Sequence, residues 1–161
     1  MDDGAALPPY AYAGARAMVL LHERHLRAFL ATWRQAAAAG VALPATQDPD
    51  YASLAGVLAH VLRSARGYMV WICQVMGLPD PAIDPAPAAE SAAGEAEAYL
   101  AHLAERWRTP LGAVAEARFD EAYPSRWQVT YCIDAMLEHA VMHPIRHRFQ
   151  LEELLDRQGA R

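Results

Sequence analysis

SLAGVLAHVLRSARGYMVWICQVMG, residues 53 to 77, opens on a serine, closes on a glycine and carries a single apolar stripe in between. Leu54, Val57, Leu58, Val61, Leu62, Ala65, Met69, Ile72 and Met76 recur at intervals of three and four. That spacing gathers side chains on one face of a 3.6-residue helix. Ser53 has the hydroxyl that caps a helix N-terminus. Gly77 takes a left-handed conformation without steric cost and so ends a helix. The stretch predicts an amphipathic helix from about Ser53 to Met76, whose apolar face must be covered by other elements.

Three further segments supply such elements. The first runs from Tyr10 or Ala13 to Ala39, stops at Gly40 and places Val19, His22, Leu26, Phe29, Leu30 and Trp33 on one face. A later one runs from about Ala92 to Trp107, with the stripe Ala96, Tyr99, Leu100, Leu103 and Trp107 and room to resume after Pro110. The last starts near Gln128 and reaches about Leu155, lined by Val129, Ile133, Met136, Leu137, Ala140, Leu151, Leu154 and Leu155. LPDPAIDPAPAAES (78–91) is too proline-rich and too long for a tight turn and reads as an extended crossover. ARFDEAYPSRWQ (117–128) is a second irregular connection. Alanine dominates the composition, β-branched residues are few and no stretch alternates cleanly, so strands are not expected. The reading is all-α: one domain over residues 1–161, a four-helix bundle with a long crossover between helices 2 and 3.

Composition narrows the function classes. The 161 residues are 54% hydrophobic and 20% charged, with net charge −5, so the chain can bury a full core. Its basic residues are arginines scattered along the chain, not the clustered cations that neutralise phosphates, so no nucleic-acid partner is expected. No run is long and apolar enough to span a bilayer. The start, MDDGAALPPY, is acidic where a signal peptide is basic. Cys73 and Cys132 lie in apolar helical patterns without a C-x-x-C partner and read as buried free thiols of a reducing compartment. The expected location is the cytoplasm and no membrane partner is expected.

The chemistry concentrates in HAVMHPIRHRFQ, residues 139 to 150, where His139, His143 and His147 follow one another at every fourth position. On the helical wheel His147 falls near the middle of the apolar stripe, His143 on its inward edge and His139 toward the polar side. Two inward imidazoles at i and i+4 stand about 5–6 Å apart at Cβ, within reach of one metal ion. The alternative is two core histidines satisfied by carbonyls or hydroxyls. A third ligand has to come from another helix. His22 sits at the centre of the first stripe, His60 just outside the second, His25 at the margin of the first, and His102 on the outer, solvated face of the third. Periodicity favours His22 slightly over His60. Pro144 removes one backbone N–H and crowds the Ala140 carbonyl, so a bend is expected there, either merely tolerated or widening the interior beside the histidines.

The segment EHAVMHPIRHRFQLEEL resembles the last-helix motif of the DinB-like superfamily, which includes mycothiol- and bacillithiol-dependent S-transferases. In that motif a histidine, three residues and a second histidine are followed by Arg, a small residue and Gln. His143, His147, Arg148 and Gln150 match these positions. SLAGVLAHVLRSARGYMVWI resembles the family's Leu-x-His with aromatics about two turns on, with His60 at the histidine and Tyr68 and Trp71 in the aromatic region. The resemblance implies a four-helix bundle with a long second crossover. It also implies a metal site of one histidine from the second helix and two from the last, namely His60, His143 and His147. That set displaces the preference for His22. Phe149 stands where the family has a small residue, and Pro144 directly follows the first ligand of the last helix.

Three neutral imidazoles leave a divalent metal with an open position, the pattern of catalytic sites. Zinc or nickel is the first expectation, with iron a further option for nitrogen ligands. The resemblance implies activation of a low-molecular-weight thiol for transfer to an electrophile. A metal-dependent hydrolase, or a non-catalytic metal-stabilised bundle of stress-related or dimeric kind, is the alternative, and a homodimer is the assembly expected. Glu23, Glu138, Gln150 and Ser64 are candidates to orient the ligand rings. Arg148 either binds an anionic group or pairs with Glu152 one turn on.

Overall fold

Four helices, α1 (Ala13–Ala38), α2 (Leu54–Met76), α3 (Ala89–Trp107) and α4 (Ile133–Gly159), carry the chain in the computed structural model, which describes residues 7–159. The acidic residues 1–6, read above as unlike a signal peptide, lie outside the described part. α1 packs most extensively on α4, and α2 is flanked by α3 and α4. The core draws on all four helices, with Phe29, Leu58, Met69, Leu103, Trp107 and Leu137 among its fully buried members. The architecture is therefore the all-α bundle expected, and no helix among the described residues is long and apolar enough to cross a membrane.

The helix ends are where local chemistry placed them. Ser53 Oγ accepts the Gly56 N–H at 3.0 Å. Gly77 takes φ 67°, so that Leu78 N–H reaches the Cys73 carbonyl at 2.8 Å and Gly77 N–H the Gln74 carbonyl at 3.3 Å. Gly40 repeats the device at φ 63°, with Val41 N–H on Ala36 at 3.0 Å and Gly40 N–H on Ala37 at 3.1 Å. Each pair of bonds satisfies carbonyls that a helix C-terminus leaves orphaned.

The long crossover over residues 77–88 is tied down rather than loose. Ile83 is buried and its carbonyl accepts Arg66 Nε–H at 2.9 Å. Tyr99 donates its hydroxyl to the Asp84 carbonyl at 2.8 Å, and His102 Nε2 accepts the Asp84 N–H at 3.0 Å. His102 is thus not a solvated outer residue but a pin that fastens the crossover to α3.

The fourth helix corrects the sequence reading. It begins at Ile133, not near Gln128, and the residues before it form a hairpin of β1 (Ala122–Pro124) and β2 (Thr130–Cys132). The strands are antiparallel, with Tyr123 opposite Tyr131. Gln128 has φ 60° in the connecting turn, and Val129 is 49% exposed instead of lining the core. Val129, Thr130 and Tyr131 are β-formers behind the turn at 125–128; the Val129 carbonyl accepts the Ser125 N–H, and Thr130–Cys132 pair with Ala122–Pro124. Cys132 is half-buried rather than buried, and its Sγ accepts the Ala135 N–H at the start of α4. Cys73 is buried, and burial pushes its thiol up to about 11. α4 stays helical across Pro144, which is itself buried. Phe149 is 59% exposed, so its bulk meets no packing constraint.

His22 takes the core position its place in the stripe dictated. It is 2% exposed, stacks on Trp107 with ring centres 3.8 Å apart, and its Nε2 has no hydrogen-bond partner. Burial, reinforced by His25, pushes its pKa down to about 3. The unfolded chain binds that proton near pH 6.5. Stability due to neutral His22 is therefore complete above about 6.5 and lost as pH falls toward about 3. Replacing His22 with Leu is expected to make the protein's stability less pH-dependent, by about 2 kcal/mol between pH 7 and pH 5. Urea denaturation of both proteins at the two pH values measures it, and equal losses would refute the assignment.

Candidate metal centre

His60 stands on the margin of α2, and His143 and His147 stand one turn apart on α4. The seam between these helices brings one ring nitrogen of each within 4.8 Å of the others. His60 Nε2 is 3.0 Å from His143 Nε2, and the His143 and His147 ring centres are 4.6 Å apart. His143 and His147 are buried and His60 half-buried. One ion reaches such a set with metal–nitrogen bonds of ~2.0–2.1 Å after small ring adjustments.

Hydrogen bonds fix which nitrogens face inward. Asp50 Oδ2 lies 3.0 Å from His60 Nδ1, and a carboxylate only accepts, so Nδ1 carries the proton and Nε2 presents its lone pair. Gln150 Oε1 does the same for His147 Nδ1 at 3.0 Å. His147 Nε2 is then left buried with no partner. Burial lowers the pKa of all three imidazoles, to about 2 for His143 and about 4 for His147, so each is a neutral donor at pH 7. Asp50 is itself held by Arg63 at 2.7 Å, which keeps its carboxyl below the ordinary range. Three converging neutral imidazoles, one with a buried nitrogen that has no partner, suit a cation.

Gln150 was among the residues expected to orient a ligand; Glu23, Glu138 and Ser64 do not fill that role. Glu23 pairs with Arg27 and Arg108, Glu138 is exposed, and Ser64 lies along a neighbouring cavity wall. Arg148 pairs with Glu152 at 2.7 Å. His22 and His102 are engaged elsewhere. His25 is outside the cluster of three, and His139 stands beside it, its ring 6.4 Å from that of His143. Tyr68 packs edge-on between His139 and His143, whereas Trp71 turns to Tyr123 of the hairpin.

Asp50 and Tyr51 were not foreseen. Both lie in a 3-10 turn, Pro49–Tyr51, that precedes the Ser53 cap and is itself capped by Asp48 accepting the Asp50 N–H at 3.0 Å. Tyr51 Oη is 3.3 Å from His60 Nε2. The turn was legible in DPDY, where Asp and Pro are strong turn formers. Its fold-back over His60, ten positions later, was not. Asp50→Ala is expected to weaken metal binding about 10- to 100-fold, the usual cost of losing an orienting partner. Competitive titration against a chelator reads this directly; unchanged affinity would remove Asp50 from the site.

Two cavities border the histidines. One, of about 320 Å³, reaches His147 between apolar side chains such as Leu43, Val57 and Leu154. The other, of about 350 Å³, reaches His60 and His143 and is lined by polar and aromatic groups. Tyr51 belongs to both. No family model, curated protein or solved structure matches this chain.

Proposed function

We propose that this chain is a metal-dependent enzyme of the DinB-like type, in which His60, His143 and His147 hold one divalent cation, zinc or nickel foremost and iron next. Its reaction is the transfer of a low-molecular-weight thiol to a small electrophile. The observation that carries the reading is the orphaned, buried Nε2 of His147 beside the facing Nε2 atoms of His60 and His143. An ion held by three imidazoles keeps an open position where, as a Lewis acid, it makes a thiol or water more acidic.

The chain's own groups have definable tasks there. Asp50 and Gln150 lock two rings in the tautomer that presents Nε2. Burial raises the pKa of Tyr51 above its ordinary value, so its hydroxyl keeps its proton at neutral pH and stays a donor beside the cluster. The apolar cavity at His147 offers a dry wall to a substrate body.

Elemental analysis of the purified protein is the first test, with about one ion per chain expected of a three-ligand site. Cobalt substitution is the second: adding cysteine or mercaptoethanol should produce a thiolate-to-cobalt charge-transfer band. A cobalt protein whose spectrum ignores both thiols would defeat the transferase reading. If its Tm nonetheless rises with metal, the stabilised-bundle alternative takes its place; turnover of ester or amide substrates would select the hydrolase.

A further inference from the structure

The cavity that reaches His60 and His143 has a property the metal reading does not use. Three arginines, Arg63, Arg126 and Arg146, stand on its wall, against one carboxylate, Asp50. The histidines there are neutral, so the pocket is positive in a chain whose net charge is −5. Arg63 is committed to Asp50 at 2.7 Å. Arg126 and Arg146, both exposed, have no carboxylate partner among the described residues. Two guanidiniums without a carboxylate partner therefore line one cavity.

The same cavity has an aromatic wall of tilted and edge-on rings. Trp127, Tyr131, His139 and Tyr68 stand with neighbouring ring centres 5.4 to 6.4 Å apart. Trp127 is 45% exposed although it is the largest side chain there, so part of its surface is uncovered by protein. The Arg126 guanidinium lies over one face of the Trp127 ring, 5.0 Å from its centre, so the cation sits on the aromatic surface. The hairpin before α4 supplies Arg126, Trp127 and Tyr131, and α4 supplies Arg146 and His139. A pocket of about 350 Å³ suits a small molecule and is too small for a polymer.

Planar guanidinium forks pair with carboxylates through two parallel hydrogen bonds, and aromatic faces stack on flat bodies. We propose that this pocket binds a planar organic carboxylate, its anionic end on Arg126 and Arg146 and its flat body against the exposed part of Trp127. The remainder of the molecule then borders His60 and His143. This deepens the proposed metal site by naming its substrate class, and rests on that reading only for what happens to the bound molecule, not for its binding.

The test uses the full chain, metal-free and zinc-loaded, titrated by calorimetry with benzoate, with its neutral isostere benzamide and with inorganic phosphate. The metal-free arm isolates the arginines, because a carboxylate also coordinates zinc. Benzoate is expected to bind the metal-free protein about tenfold more tightly than benzamide or phosphate, the size of a charge-assisted pairing supported by stacking. Arg126→Gln with Arg146→Gln should remove that preference while the Tm and metal content stay those of the parent. The proposal is overturned if benzoate does not bind the metal-free chain, if benzamide or phosphate equals it, or if the double variant keeps the preference. A chain that takes up no metal yet shows the benzoate preference refutes the metal reading and leaves the pocket standing. A metal-loaded chain without the preference does the reverse.

Discussion

His147→Ala and His143→Ala are each expected to strip the chain of its metal, with affinity falling by more than about a hundredfold, beyond what loss of an outer partner costs. The measurement is metal content after dialysis against a weak chelator, with far-UV circular dichroism to show that the bundle persists. His147→Leu sharpens the result. Without metal, the native ring keeps a buried nitrogen with no partner, a condition that costs about 1–3 kcal/mol. Leucine removes that nitrogen and fills similar space. The metal-free His147→Leu protein should therefore be at least as stable as the metal-free parent, while the parent alone gains stability on adding zinc. Histidines kept for packing give the opposite pattern: the leucine variant would be weaker and zinc would change neither protein. Full metal content in both alanine variants would remove the centre altogether.

Most of the bundle was legible because its signals are long and redundant. α2 carries its stripe through 23 residues between a serine cap and a glycine stop, so no single position decides it. The hairpin was not legible, since three-residue strands are set by what pairs with them and not by local preference. Helical spacing carried backward from Ile133 reached Val129 by coincidence. The histidines show a subtler limit. His22, at the centre of its stripe, went where stripe centres go, into apolar packing against Trp107. His60 sat at the margin of its stripe, and margins meet at the seam between neighbouring helices, where cavities remain. Periodicity alone ranks the centre above the margin for burial, and ligands need convergence more than burial. The resemblance of the second and last helices to the DinB-like pattern named the residues that converge, which wheel geometry left open. Neither argument reached Asp50, whose contact with His60 exists only once the 3-10 turn has folded back.

Trp107→Ala is expected to cost about 3–5 kcal/mol of stability, the range for emptying a buried aromatic site. Trp107 is 2% exposed, stacks on His22 of α1 and donates its indole N–H to the Ala65 carbonyl of α2 at 3.2 Å, so it joins three helices at one point. Phenylalanine restores most of the volume without the donor, and Trp107→Phe should lose markedly less, about 1–2 kcal/mol. Urea denaturation at pH 7 gives both numbers. Acid supplies a second, independent readout. The depressed pKa of His22, about 3, has burial as its main cause, and Trp107 covers one face of that ring. Opening the site lets water reach the imidazole, and its pKa rises toward the unfolded value near 6.5. The alanine variant should then lose less stability than the parent between pH 7 and pH 5, so the gap between the two proteins narrows as the pH falls. A gap that stays constant over that interval would mean that the ring remains dry without Trp107. The stack would then contribute only its packing, and the acid sensitivity assigned to His22 would have to come from the other buried imidazoles.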